Sequence, residues 1–271
     1  MDKSKIAILT TLINKELYEK SNRLFPKGID KYVIDGSDGM FGIDSICFMM
    51  EKLKGKGVEW LIMADEDVLF LNPDAVYSVI QEMKSKDYFV CGVRDGGVIP
   101  NRTYSPFLIN TFFSILNFKE LELIWNKKEV LQNQYINEGE FEEKWSELPG
   151  PYDTQSLYEP YYCFYFWLRR KNNKILFLDA EQFSTEDDKT TTVYDLNRNI
   201  MLYHTWYARS YGNNEKHTNR INKIFDLIDF PKNEPSEPVY FKDSTFFIRR
   251  KIKKINRRIL NRFIKMFNRS K

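Results

Sequence analysis

Residues 60–74, WLIMADEDVLFLNPD, combine the pattern of a buried strand with a cluster of acidic side chains. Five apolar residues over 60–64 predict the strand, and three acids follow where it ends. Residues two apart on a strand point to the same side, so Asp65 and Asp67 should face one cleft while Glu66 faces away. Pro73 precedes a periodic segment and predicts a helix over 74–86.

The first ninety-five residues alternate between short apolar segments and amphipathic ones. Strands are predicted over 5–12, 31–36, 60–64 and 88–93, and helices over 14–25, 41–54 and 74–86. This alternation predicts an α/β domain with a mostly parallel sheet flanked by helices. Ligands bind at the carboxyl ends of such strands, so Thr10, Thr11, Asp35 and the acidic triplet should converge there.

The rest of the chain is less regular. Helices are predicted over 118–125, 140–148 and 217–230, and strands over 174–179 and 200–206. Pro160 opens an aromatic helix, YYCFYFWLRRKN. We expect this helix to shape an acceptor site together with the middle segment of the chain, residues 96–153. The stretch 231–238, PKNEPSEP, is typical of a linker, and we assign 231–244 to it.

Two carboxylates side by side at a strand end repel each other unless a cation joins them. Oxygen ligands favour Mg²⁺ or Mn²⁺, which usually keep coordination places for substrate phosphates. Asp65 and Asp67 are therefore candidate metal ligands, and Asp65 is also a candidate nucleotide contact. The alternative is a solvated acidic turn before a helix.

Four segments resemble the GT-A glycosyltransferases, the nucleotide-diphospho-sugar transferase superfamily: LTTLINK (9–15), IDG (34–36), GMFG (39–42) and WLIMADEDVLFLNPD. The resemblance implies a Rossmann-like domain over 1–230, with a nucleotide-binding half at 1–95 and an acceptor-binding half at 96–230. It also implies that the DxD motif holds a divalent ion against the diphosphate of a sugar nucleotide such as a UDP-sugar.

The same resemblance places nucleoside contacts at Thr10 and Thr11 and makes His204 a third metal ligand, since several GT-A families supply a late histidine. Threonines at 10 and 11 also suit a plain strand, and His204 could be a core histidine beside Trp206. Asp35 could bond ribose hydroxyls. The glycine-rich loop ending at Gly42 could approach a nucleotide closely or be only a turn.

Deprotonation of an acceptor hydroxyl requires a carboxylate near the sugar. Glu159, at the start of the aromatic helix, loosely resembles the acidic helix start that carries the base in inverting GT-A enzymes, and Asp153 is its rival. Glu159 could instead only cap the helix.

Asp95 is expected to border the sugar or acceptor, and Arg102 and Arg209 either bind phosphate or form surface ion pairs.

The charge is divided unevenly along the chain. Residues 244–271 hold eleven of the 41 Lys and Arg and none of the 38 Asp and Glu. One helical stripe in this tail is apolar, comprising Ile248, Ile252, Ile255, Ile259, Phe263 and Met266. A basic amphipathic helix over 245–271 on an acidic body favours an anionic membrane surface. Packing on the body and an RNA-binding arm are the alternatives.

These features favour a metal-dependent glycosyltransferase of the hexosyltransferase class, with Mn²⁺ or Mg²⁺ as cofactor. By analogy with bacterial surface-polysaccharide synthesis, its acceptor would be a glycan or a lipid-linked sugar. Three scattered cysteines and the tail place it in the cytoplasm, peripheral on the inner face of the cell membrane. The alternatives are a phosphatase of the haloacid dehalogenase type and a non-catalytic membrane adaptor with a degenerate transferase fold.

Other classes are disfavoured. Neither GxGxxG nor GxxxxGK[ST] occurs in the sequence, which argues against a dinucleotide dehydrogenase and a P-loop NTPase. The acidic body argues against a nucleic-acid binder.

Overall fold

A computed structural model describes residues 1–95, 98, 105–141, 152–232, 234–252 and 254–256. Its strands are β1 (Ile6–Leu12), β2 (Asp30–Asp35), β3 (Trp60–Ala64), β4 (Val68–Phe70), β5 (Tyr88–Arg94), β6 (Ile109–Asn117), β7 (Lys174–Phe177), β8 (Ala180–Gln182), β9 (Thr191–Tyr194), β10 (Ile200–His204) and β11 (Val239–Phe241). Its helices are α1 (Lys15–Ser21), α2 (Ile43–Leu53), α3 (Ala75–Lys86), α4 (Phe118–Ile124), α5 (Lys127–Gln132), α6 (Tyr162–Arg170) and α7 (Glu215–Phe225).

Within the described residues, a seven-stranded sheet has the order β11-β2-β1-β3-β6-β5-β7. β1 pairs in parallel with both β2 and β3, β11 pairs in parallel with β2, and β5 in parallel with β7. Side chains alternate along β1, so that Ile6 and Ile8 join one apolar core while Ala7 and Leu9 join another. Helices cover both faces, which confirms the predicted α/β class with a mostly parallel sheet.

Strand β6 is the exception, because it runs antiparallel between β3 and β5. Its sequence, INTFFSILN, lies in the segment for which no strand was predicted. Almost all of its residues are buried, including the polar Asn110 and Ser114, so its sequence shows neither a continuous apolar run nor a strict alternation. β5 is therefore separated from the first three strands.

A second, antiparallel sheet in the described part of the chain has the order β4-β10-β9-β8. β4 begins immediately after the acidic triplet, so this small sheet joins the segment 191–204 to the end of β3. The sequence interpretation contained β10 but neither β4 nor β9. Three-residue strands such as β4 carry too little periodicity to be recognised.

The aromatic helix corresponds to α6, and seven consecutive residues in it, 162–168, are buried. Phe164, Phe166 and Trp167 pack in the core on the α2 side of the sheet. The expectation that this helix shapes an acceptor site is wrong for these rings, because they fill the interior. The helix predicted over 140–148 falls largely on residues outside the described ranges.

The segment assigned as a linker, 231–244, contributes β11 to the sheet edge. Residues 246–252 and 254–256 are helical, and the remainder of the predicted tail helix lies outside the described residues. Phe246 is buried in the core, whereas Ile248, Ile252 and Ile255 are exposed. Among the described residues, no helix combines the length and apolar character needed to cross a bilayer.

Candidate metal centre and donor cleft

A cleft of about 680 Å³ opens where β1 and β3 end, which is where a parallel sheet usually binds its ligands. The loop before α2 and the segment after β10 form its other walls. Seven residues that the sequence analysis named as candidate ligands, contacts or bases line it: Thr11, Gly42, Asp65, Asp67, Glu159, His204 and Arg209.

Asp65, Asp67 and His204 each present a ligand atom to one small space, with these atoms within 4.8 Å of one another. Nε2 of His204 lies 3.2 Å from Oδ1 of Asp67, and both side chains are 3% exposed. The pairing of β10 with β4 sets His204 opposite Val68. The amide of Thr205 also donates to the carbonyl of Asp67, at 3.0 Å. Strand pairing thus brings the late histidine beside the acidic triplet.

Aromatic rings hold the imidazole of His204 in place. The ring of Phe112 stacks on it with centroids 4.0 Å apart, and Trp206 lies against it at 4.2 Å. The indole N–H of Trp206 donates to Oγ1 of Thr191 at 2.9 Å. Nδ1 of His204 is buried and has no hydrogen-bond partner within the described ranges. The imidazole is therefore fixed by packing.

Glu66 is buried and faces β1. Its Oε1 accepts the backbone amides of Ile13 and Asn14, each at 3.1 Å. Asn14 caps the start of α1 through its own side chain. Glu66 thus connects the acidic triplet to the end of β1 by hydrogen bonds. The sequence interpretation did not predict this structural contact.

The acidic groups strongly perturb one another. Burial raises the pKa of Asp65 well above its usual range, and the charges of Glu66 and Asp67 raise it further, whereas Arg209 lowers it. Burial, followed by the charge of Asp67, raises the pKa of Glu66 to about 7. Negative charge is thus costly here in the absence of a cation.

Two carboxylates and one imidazole fit a divalent cation, because the cation would offset the mutual repulsion of the acids. Oxygen donors accommodate Mg²⁺ and Mn²⁺, and the imidazole nitrogen suits Mn²⁺ better. Asp65, Asp67 and His204 are the residues that would hold it, leaving other coordination places for substrate oxygens.

The backbone after His204 is strained. Trp206 and Tyr207 both adopt left-handed conformations, with φ of 59° and 63°. Arg220 on α7 holds this turn by donating to the carbonyl oxygens of Thr205 and Trp206, and it pairs with Asp187. Such strain persists where the surroundings enforce it, commonly at functional sites. The sequence gives no local signal that Arg220 supports this turn.

Besides Asp65, two residues predicted to contact the nucleotide lie in the cleft. The hydroxyl of Thr11 forms a hydrogen bond with that of Ser45 on α2. Gly42 precedes α2 with φ of 56° and ψ of −127°, and a Cβ at this position would lie 3.7 Å from the ring of Tyr161. A ligand could approach the backbone closely at this glycine.

Two others lie elsewhere. Thr10 is buried within β1, because successive side chains of a strand point to opposite faces. Asp35 borders a separate pocket, where Nζ of Lys242 lies 2.7 Å from its Oδ2. Hydrogen bonds from Lys242 and Ser37 lower the pKa of Asp35 to about 2. The structure therefore brings neither side chain to the cleft.

Of the candidate bases, only Glu159 is among the cleft-lining residues that the structure describes. Asp153 is exposed, and its carboxylate accepts the amide of Gln155 at 2.9 Å in a turn. Glu159 precedes α6 by three residues, and its carbonyl accepts the amide of Tyr162.

Asp95 lies behind the cleft wall and is fully buried. Its carboxylate accepts hydrogen bonds from the hydroxyl of Tyr161 at 2.7 Å and from the side-chain amide of Asn110 at 2.6 Å. Both donors line the cleft. Asp95 thus positions wall residues, rather than bordering the ligand itself as expected. Arg102 lies outside the described residues.

No protein-family model matches the sequence, and no curated protein matches it. Among solved structures, the chain is similar to a glycosyltransferase involved in the glycosylation of the major capsid of PBCV-1, with 18% identity, a TM-score of 0.34 and coverage of 55% of this chain and 79% of that one. It is also similar to a mutant Drosophila β1,4-galactosyltransferase 7 in complex with manganese, UDP-Gal and xylobiose (14% identity, TM-score 0.39, 80% and 79% covered). A third is apo mouse xyloside xylosyltransferase 1 (12% identity, TM-score 0.38, 65% and 85% covered). All three are glycosyltransferases, but TM-scores this low support no conclusion about the activity of this chain.

Proposed function

We propose that this protein is a metal-dependent GT-A glycosyltransferase that transfers a sugar from a nucleoside diphosphate sugar to a hydroxyl acceptor. The observation that carries the proposal is the meeting of Asp65, Asp67 and His204 in a cleft at the carboxyl edge of the sheet. Their residue types match a cation that binds a diphosphate.

Each part of the cleft has a separate task in this reaction. A bound cation would stabilise the negative charge that develops on the leaving diphosphate. Asp65, Asp67 and His204 hold the cation, and the rings of Phe112 and Trp206 keep the imidazole oriented and exclude water from one side. The loop at Gly42 lets the donor approach the backbone.

Glu159 is our candidate for the base of an inverting reaction. Among the candidate bases it is the one with a place in the cleft wall, and a carboxylate there can accept the acceptor's proton as the new bond to the sugar forms. A retaining reaction would not require this base, so the effect of its removal also bears on stereochemistry.

We further propose a hexosyltransferase role in bacterial surface-polysaccharide synthesis, with a glycan or lipid-linked acceptor at the cytoplasmic face of the membrane. The support is the basic C-terminal helix, on which Ile248, Ile252 and Ile255 present exposed apolar side chains. Basic residues near an anionic surface contribute about 1 kcal/mol each.

Metal and donor binding test the proposed activity directly. Calorimetry with Mn²⁺, followed by a panel of nucleoside diphosphate sugars, should give binding of the donor that depends on the metal. Asp67→Asn should abolish both, whereas Asp44→Asn, which removes an exposed carboxylate from the same cleft, should preserve both. Donor binding that is independent of metal, or equal in the two variants, would contradict the proposal.

Membrane association has its own test. The double variant Ile248→Ser and Ile252→Ser should no longer sediment with vesicles of phosphatidylcholine and phosphatidylglycerol. The matched control, Leu123→Ser with Leu227→Ser, removes two exposed apolar side chains elsewhere and should still bind. Equal binding by both variants would remove the helix as the contact.

The two alternatives are not favoured. In haloacid dehalogenase-type phosphatases the DxD motif follows the first strand, whereas here it follows β3, and Leu69 stands where that family has Thr or Val. A non-catalytic adaptor would not need three converging metal ligands. Hydrolysis of simple phosphate esters would support the phosphatase. A protein that binds neither a divalent metal nor a nucleoside diphosphate sugar would support the adaptor.

A further inference from the structure

Two arginines from distant parts of the chain meet at the mouth of the donor cleft. Arg209 follows β10, Arg250 lies on the C-terminal helix, and both line the cleft. Their guanidinium carbons lie 4.5 Å and 5.7 Å from the centroid of the Phe41 ring, which is itself partly exposed. The flat ring keeps both charged groups at the edge of the same space.

Most of the donors of these two guanidinium groups are not used by the protein. In the part of the chain that the structure describes, the Arg209 side chain forms no hydrogen bond or ion pair, and Arg250 makes one hydrogen bond, to the carbonyl of Gly39 at 3.2 Å. An arginine has five N–H donors in a planar fork that suits phosphate oxygens. The cleft mouth therefore presents unused donors for an anion.

Packing sets the position of Arg250. Phe246 is buried in the core one helical turn earlier, so Phe246 and Arg250 share the helix face that meets the body. Gly39 has a φ of 94°, and a Cβ there would overlap the Arg250 guanidinium. The exposed Ile248 and Ile252 lie on the opposite face of the helix, at about 100° per residue.

The charges of the cleft are also complementary to a diphosphate. Asp65 and Asp67 together would neutralise a divalent cation, which leaves the negative charge of the diphosphate to be matched by other groups. Arg209 acts electrostatically on Asp65, so it lies near the metal ligands. The two guanidinium groups supply two positive charges, which would balance the two negative charges of the diphosphate in a donor.

We propose that Arg209 and Arg250 bind the diphosphate of the donor and of the product nucleoside diphosphate, so that the C-terminal helix is part of the donor site. This inference rests on the proposed function and names the protein groups that hold the phosphates. The C-terminal helix would then have two contacts. Its Arg250 face borders the cleft, and its isoleucine face is left for any surface that the helix contacts.

Inorganic pyrophosphate with Mn²⁺ tests this without knowledge of the base or sugar. In calorimetry on the full chain, Arg209→Ala and Arg250→Ala should each weaken Mn²⁺-dependent pyrophosphate binding by about 10-fold to 100-fold. For Arg250→Ala the affinity for Mn²⁺ alone should stay within about twofold, because Arg250 is not a ligand. Arg250→Lys should recover only part of the loss, since lysine keeps the charge but not the fork.

The matched control is Lys251→Ala, which removes the neighbouring, exposed positive charge from the same helix. Its pyrophosphate affinity should equal that of the wild type. Equal weakening by Lys251→Ala and Arg250→Ala, or no weakening by either arginine variant, would overturn the inference while leaving the proposed function intact. Failure of the wild type to bind Mn²⁺ and pyrophosphate together would overturn the proposed function as well.

Discussion

Replacing Asp67 by asparagine should abolish metal binding and at the same time stabilise the metal-free protein. Asp67 lies beside Glu66 and near Asp65, and its charge raises the pKa of both. Asparagine keeps the shape and an oxygen acceptor 3.2 Å from Nε2 of His204, but it removes the charge. A site built for a cation should thus become more stable when it loses a ligand.

The magnitude follows from Glu66. Its pKa rises from 4.5 to about 7, a change worth roughly 3.5 kcal/mol at about 1.4 kcal/mol per unit. Burial is the largest cause and the charge of Asp67 the second, so the part due to Asp67 is the smaller one, on the order of 1 kcal/mol. In a chain of this length, 1 kcal/mol raises the Tm by about 2–4 °C.

Thermal unfolding with and without Mn²⁺ measures both effects. A metal concentration of about 100 times the Kd should stabilise the wild type by about 2.7 kcal/mol, whereas Asp67→Asn should show a higher metal-free Tm and no response. Asp44→Asn should match the wild type in both conditions. A lower metal-free Tm for Asp67→Asn together with a retained response to Mn²⁺ would refute the reasoning.

Three further changes test other parts of the site. Glu159→Gln should lower kcat by about 100-fold or more with little change in donor affinity, and an unchanged kcat would exclude Glu159 as the base. Because its pKa is lowered, Asp35 contributes stability that is present above about pH 4 and lost as the pH falls toward 2. With allowance for solvent screening, Asp35→Asn should reduce the difference in unfolding free energy between pH 5 and pH 2.5 by about 1 kcal/mol. Urea unfolding at the two pH values measures this difference, and Lys242→Met is the comparison variant. Arg220→Met should reduce stability by about 2 kcal/mol and weaken Mn²⁺ binding through the turn after β10, whereas Arg198→Met, at an exposed ion pair, should do neither.

Local patterns were sufficient for much of the framework. The apolar run before Asp65 predicts β3 with both ends correct, and the repeated alternation predicts a mostly parallel sheet, as the pairing of β1 with β2 and β3 confirms. These features depend on residues close together in the chain, so the local sequence pattern is sufficient to predict them. Asp65 and Asp67 meet as predicted, but residues 65–67 form a turn between β3 and β4, so strand alternation is not what brings these two carboxylates together.

Other features depended on contacts between distant segments. The antiparallel insertion of β6 and the pairing of β4 with β10 bring together strands far apart in the chain, and only the second of these places His204 beside Asp67. Asp35 was expected at the donor but is drawn to Lys242, and Arg250 reaches the cleft because Phe246 is buried. Such placements follow from which surfaces bury each other most favourably, and no short stretch of residues records that choice.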